Sequence, residues 1–229
     1  MYLEELAKPR VVEHTQIVTP VEIIGYSKPA LTVDDKILID LNYPYDERGV
    51  RRCSGFSDSG QSESLGCYDI MTPDPLLGGL LPAYPMAACF VGNGKYVYQG
   101  GCIIDGGVAY IIESQGSYVR IDSFSELKAT YLPIESDTEA LSYAMAATGY
   151  SALYGTGILP DTEYYVERFE YTHVEKRGYE YVVRLFDYQL CGCGQHETIA
   201  VDVAVSFQGD IREIYRELVF RDDFESCID

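Results

Sequence analysis

Tryptophan is absent, and histidine occurs only at His14, His173 and His196. Positive charge is scarce: 17 Lys and Arg stand against 36 Asp and Glu, a formal net charge of −19. A field of that sign repels phosphate backbones and anionic membrane surfaces, so nucleic-acid binding and membrane docking are not expected. It favours solubility and admits cations or a basic partner. No stretch approaches the roughly 18 uninterrupted apolar residues of a transmembrane helix. The first ten residues carry Glu4, Glu5, Lys8 and Arg10 without an apolar core, and do not read as a signal peptide.

Catalytic fingerprints are also missing. Asp105-Gly106-Gly107 has the chemistry of a turn, and no glycine cluster has the spacing or the strand-to-helix context of a phosphate or dinucleotide loop. No G-x-S-x-G elbow exists. Gly55-Phe56-Ser57 and Gly116-Ser117 lie in loop and hairpin contexts. Sequence-adjacent acids such as Asp34-Asp35 and Asp222-Asp223 are unremarkable among 36 carboxylates, and the Asp/Ser/Gly-rich segment 54–69 lacks the spaced ligands of a calcium loop. No cofactor is therefore expected, and the chain reads as non-enzymatic.

What is present is a folded composition: 229 residues, 47% hydrophobic and 23% charged. That length suits one large domain or two small ones. Tyrosine is abundant, at 21 against 8 phenylalanines. Its ring packs while its hydroxyl stays hydrogen-bonded, which suits half-exposed sheet faces and interfaces.

Seven cysteines occur: Cys53, Cys67, Cys89, Cys102, Cys191, Cys193 and Cys227. All are disulfide candidates. Cys53 and Cys67 bracket a polar loop that a bridge would constrain. Cys89 and Cys102 bracket the turn signal Asn93-Gly94 and would pair across a bulged or bent hairpin. Cys227 could reach back to Cys191 or Cys193. Cysteines so placed point to an exported or cell-surface protein whose leader has been removed, with a reduced cytoplasmic chain as the alternative.

The stretch Cys191-Gly192-Cys193-Gly194-Gln195-His196 is the one constellation that could hold a metal. Cys191, Cys193 and His196 have zinc-ligand chemistry, with Cys227 or His173 as a fourth ligand, but C-x-C is tighter than the usual C-x₂₋₄-C spacing. Redox catalysis would need C-x-x-C and a helix N-terminus. A Cys–His nucleophilic pair would need one of these thiols to meet His173 or His196. A structural disulfide is the favoured reading.

Along the chain, Val18–Ile24 suggests an edge segment and Ile37–Leu41 a strand, followed by a long loop over 45–84. Short strands are expected at Ala87–Val91, Lys95–Tyr98, Val108–Glu113 and Tyr118–Ile121, the last two joined at Gln115-Gly116. Ser123-x-x-Glu126 and Ser136-x-x-Glu139 are capping-box patterns that open two helices, the second ending at Gly149. Leu141, Ala144, Met145 and Thr148 share one face of that helix. Four longer strands follow: Tyr164–Glu175, Tyr179–Leu190, Glu197–Phe207 and Ile211–Arg221.

The expected fold class is α+β. An irregular β-rich region over 1–122 precedes a helix packed on a four-stranded antiparallel meander over 123–229, the two being separate or one continuous domain. In layout, residues 136–221 resemble the helix-on-sheet plan of cystatin-like modules, a likeness from which no function follows. The leading functional expectation is an exported or cell-surface binding or structural protein whose tyrosine-rich faces and 45–85 loop meet a protein or surface ligand. The alternative is a zinc-binding protein or enzyme using Cys191, Cys193 and His196.

Overall fold

A computed structural model describes residues 11–12, 15–18, 66–67, 69–71, 86–92, 94–100, 106–153, 162–188 and 194–222. In chain order these form β1 (Gln16–Val18), β2 (Asp69–Met71), β3 (Met86–Val91), β4 (Tyr98–Gln99), β5 (Gly107–Ser114) and β6 (Ser117–Ile121). Two helices follow, α1 (Phe124–Tyr131) and α2 (Asp137–Thr148). The remaining strands are β7 (Thr162–Tyr164), β8 (Arg168–Glu170), β9 (Val174–Arg177), β10 (Glu180–Tyr188), β11 (His196–Ser206) and β12 (Ile211–Asp222). The described chain is thus mostly β, with two helices and two antiparallel five-stranded sheets.

The second sheet has the order β7-β12-β11-β10-β9. Its long central strand β11 alternates, as Ile199, Val201, Val203 and Val205 join the main core while Asp202 and Ser206 point to the other face. The meander β9–β12 is present, and β7 adds a fifth strand against Phe220–Asp222. The single strand expected over Tyr164–Glu175 is a correction. That segment is divided among β7, which pairs β12, β8, which pairs β1 in parallel, and β9, which pairs β10. Its continuous β-like pattern concealed two changes of direction.

The first sheet corrects a second expectation. Asn93-Gly94 suggested that the strands on either side of it pair as a hairpin. Instead β3 and β4 lie on opposite sides of β5, with β6 continuing along the edge that β4 starts. β2 completes the sheet beside β3. The Gln115-Gly116 turn holds, with φ of 52° and 77° at the two residues, the paired left-handed conformations that suit a two-residue hairpin.

Both helices start as their sequences dictate. The Ser136 hydroxyl accepts from the Glu139 N–H at 3.2 Å, and Glu139 Oε2 accepts from the Ser136 N–H at 2.9 Å, a complete capping box. The Ser123 hydroxyl accepts from the Glu126 N–H at 3.3 Å. α2 ends at Gly149, whose φ of 76° is left-handed and whose N–H donates to the Met145 carbonyl at 2.8 Å.

Only one buried face was expected of α2, yet every residue from Ala140 to Ala146 is buried. One continuous core borders it with Ala88, Val108, Tyr110 and Ile112 of the first sheet and with Val183, Leu185, Val201 and Val203 of the second. Burying Leu141 and Met145 contributes about 2–3 kcal/mol each. Small residues (Ala140, Ala144, Ala146) let backbone elements approach the helix closely. A second cluster lies on the other face of the second sheet, where Phe169 of β8 packs on Phe186, Phe220 and Tyr171.

Candidate functional site

Two of the three expected cysteine pairings are overturned, and the third, Cys227 with Cys191 or Cys193, lies outside the described residues. Cys67 is bonded to Cys89, with Cα atoms 5.3 Å apart. Cys53–Cys67 and Cys89–Cys102 bridges are therefore excluded. The reason lies in the sheet: Cys67 stands two residues before β2, which lies alongside β3, and Cys89 is opposite Ile70. Proximity along the chain misled where cross-strand proximity decides. Both residues are buried, and closing this loop is worth about 3 kcal/mol in the chain-entropy view. Arg120 of β6 donates to the Gly66 carbonyl at 3.0 Å, fixing the backbone just before the bridge.

Cys53, Cys102, Cys191, Cys193 and Cys227 lie outside the described residues, as do His14, most of the 45–85 loop and the Ile37–Leu41 segment. His196 opens β11 opposite Asp222 and is buried. Its Nδ1 lies 3.4 Å from the Tyr188 hydroxyl, and the two rings are 5.8 Å apart. His173 is half-buried, with Nδ1 2.7 Å from the Tyr171 carbonyl, so that nitrogen carries the proton. Among the described residues, no three His, Cys, Asp or Glu side chains converge as a metal site.

The most organised polar arrangement is one that sequence reasoning missed. It lies on the face of the second sheet turned away from α2. Asp202 of β11 stands directly opposite Arg184 of β10 on one side and Tyr215 of β12 on the other. Arg184 donates to Asp202 through Nε at 2.6 Å and Nη2 at 3.0 Å, a bidentate pair. Its guanidinium lies 5.5 Å from the centre of the Tyr215 ring. The Arg184 backbone N–H donates to the His173 carbonyl at 2.9 Å, tying β10 to the residue just before β9. Only 16% of each charged side chain in the pair is exposed. Burial works against the guanidinium charge, but the Asp202 carboxylate outweighs it and holds Arg184 above its ordinary range.

More ion pairs surround the row. Arg177 binds Glu175 at 2.9 and 2.6 Å, and that contact draws the Glu175 carboxyl below its usual range. Arg212 binds both oxygens of Glu180 at 2.9 and 2.8 Å. The Tyr215 hydroxyl donates to Glu217, and burial together with that bond pushes its pKa up to about 12. Beside the end of α2, the Tyr150 hydroxyl donates to Glu213 and accepts from Arg216 at 3.3 Å, while Arg216 also holds Asp187. Burial and Glu213 push Tyr150 up to about 12 as well. At neutral pH both phenols are protonated donors.

Chemically, the face turned away from α2 is a surface of fixed guanidinium–carboxylate pairs with the neutral Tyr215 hydroxyl, while the Tyr150, Glu213 and Arg216 cluster lies on the α2 side of the sheet. Tyr215 and Ile214 remain about two-fifths exposed, and Tyr179 at the β9–β10 turn is 87% exposed. Arginine and tyrosine are the side chains that most often anchor protein interfaces. Alternation in β11 placed Asp202 on the polar face. Nothing in the sequence fixed its partners, because Arg184 and Tyr215 meet it only through strand register. The fold and this face together define an α+β, β-dominated protein with an ordered polar sheet face. Comparison with protein-family profiles, curated proteins and solved structures found no match to this chain. No helix among the described residues is long and apolar enough to cross a membrane.

Proposed function

We propose that the protein is a non-enzymatic binding or structural protein of the cell exterior, meeting a protein or surface ligand through the polar face of its second sheet. The observation that carries this reading is the Arg184–Asp202–Tyr215 row, in which charge and aromatic surface are held rigid by mutual contacts. A pre-ordered arginine and tyrosine surface loses little side-chain freedom on binding. Export is supported by the buried Cys67–Cys89 bond, since such bridges persist in oxidising compartments.

The test is a peptide map of the protein taken from producing cells, with free thiols alkylated before lysis and intact cells labelled by a membrane-impermeant amine reagent. The expected result is a linked Cys67–Cys89 peptide in protein that carries the label. Unlabelled protein in which both thiols are alkylated would refute the placement.

A further inference from the structure

The β12 edge carries an inference that goes beyond the binding face and does not depend on export. β7 pairs β12 only over Phe220–Asp222, and the next backbone contact on that side is the Tyr165 N–H to the Val219 carbonyl. Over residues 211–218, no strand among the described residues pairs with the side of β12 that faces away from β11. Residues 212–217 are all exposed.

Open edges are ordinarily protected from stray pairing by charges and by bulges. β12 has both. Its register against β11 shifts between Asp202 and Val203, leaving Ile214 as an extra residue. Facing assignments follow from the register. Ile211, Glu213, Arg216 and Leu218 stand opposite Val205, Val203, Val201 and Ile199 on the α2 side, and Arg212, Tyr215 and Glu217 stand on the other face.

The order Ile211-Arg212-Glu213-Ile214-Tyr215-Arg216-Glu217-Leu218 is self-complementary when read against itself backwards. Ile211 meets Leu218, Arg212 meets Glu217, and Glu213 meets Arg216. In an unbulged strand such odd-sum partners would point to opposite faces, and a two-fold axis would forbid the pairing. The extra residue at Ile214 restores the match: both members of each pair now lie on the same face. Charges that would turn away an unrelated strand therefore accept a second copy of this one. The strip itself is neutral, with two arginines and two glutamates, on a chain whose net charge is −19.

We propose that two copies of this chain associate through antiparallel pairing of β12 with β12, joining their second sheets into one continuous sheet. The surface pairs that Arg212 and Arg216 now make with Glu180 and Asp187 involve side chains roughly a third to three-fifths exposed, so sharing them with a second copy costs little.

Sedimentation velocity of the full chain at physiological salt, over micromolar to submillimolar concentrations, tests this with two variants, R212E and E217R. Both positions are exposed, and far-UV circular dichroism checks that each variant keeps its fold. The unmodified chain should reach a dimer. Each variant alone places like charges opposite one another twice per dimer and should weaken association by about tenfold. An equimolar mixture of the two restores opposite charges at both places and should dimerise as the unmodified chain does. A monomer at every concentration, variants that associate as tightly as the unmodified chain, or a mixture no tighter than its components would overturn the proposal.

Discussion

Substitution of Gly149 by alanine tests how the first sheet is joined to α2. Gly149 ends the helix at φ 76°, a conformation that costs an L-residue about 1–2 kcal/mol. A Cβ built there would lie 2.3 Å from Cε2 of Tyr98 and 2.8 Å from two further atoms of its ring. Tyr98 belongs to β4, so G149A must displace a ring that closes the first sheet over the helix end. Such overpacking costs typically about 1–3 kcal/mol. The sum is about 2–5 kcal/mol, equivalent to a melting-point fall of roughly 10 °C for a chain of this size. Urea unfolding followed by circular dichroism measures it. The decisive comparison is a double-mutant cycle with Y98A. Without the ring, G149A should cost only the backbone part, about 1–2 kcal/mol, leaving a coupling of at least about 1 kcal/mol. If G149A costs the same in both backgrounds, the packing of Tyr98 on the helix end is refuted.

The ion pair and the tyrosines yield two more expectations. D202A leaves the largely buried Arg184 guanidinium without its carboxylate and should destabilise by about 2–3 kcal/mol, below the range for a fully buried pair because some solvent reaches the site. The double variant R184A/D202A should lose less than D202A alone, and a larger loss in urea melts would contradict this account. In alkali, Tyr150 and Tyr215 are raised to about 12 and the buried Tyr110 and Tyr131 stand well above 10. A raised folded-state value means the stabilisation is complete below pH 10 and is lost as pH climbs through 12, because the unfolded chain ionises first. Phenolate absorbance should show Tyr110 and Tyr131 ionising only together with loss of circular dichroism. Smooth titration of all tyrosines in a still-folded chain would count against their burial.

Legibility in the sequence followed the range of the signal. The capping box at Ser136, the N-cap at Ser123, the left-handed stop at Gly149, the Gln115-Gly116 turn and the alternation of β11 are local, and each was readable. The Asn93-Gly94 signal was local too, but pairing is settled by competition among strands, and β5 takes both β3 and β4 as neighbours. The disulfide followed that sheet order rather than chain spacing. α2 gave an ambiguous pattern because a helix enclosed on all sides needs no polar face. Its Ala-rich sequence therefore carries little periodicity for a one-sided reading to find. The candidate site was the least legible part. Arg184 and Asp202 are 18 residues apart and meet only because the β10–β11 register puts them opposite each other.

The tyrosine excess can now be given a structural cause beyond sheet propensity. Tyr110 of β5 donates to the Ala146 carbonyl in α2 at 3.0 Å. Tyr143 of α2 donates to the Gly209 carbonyl in the β11–β12 turn at 2.8 Å, and Tyr181 of β10 donates to the Glu135 carbonyl just ahead of α2 at 2.7 Å. In each case a buried ring contributes apolar surface while its hydroxyl satisfies a carbonyl on a different element. Phenylalanine would fill the same volume but leave the carbonyl without that donor, and a hydrogen bond of this kind is worth about 1 kcal/mol net and more where the acceptor is buried. Tryptophan has a donor, but on a larger ring for which the closely packed, alanine-lined surroundings of α2 leave less room. The same residue thus ties the helix to both sheets from within. On the outer face, at Tyr215, it supplies a neutral hydroxyl and an aromatic surface beside Arg184, so core cohesion and the proposed binding face draw on one side chain's chemistry.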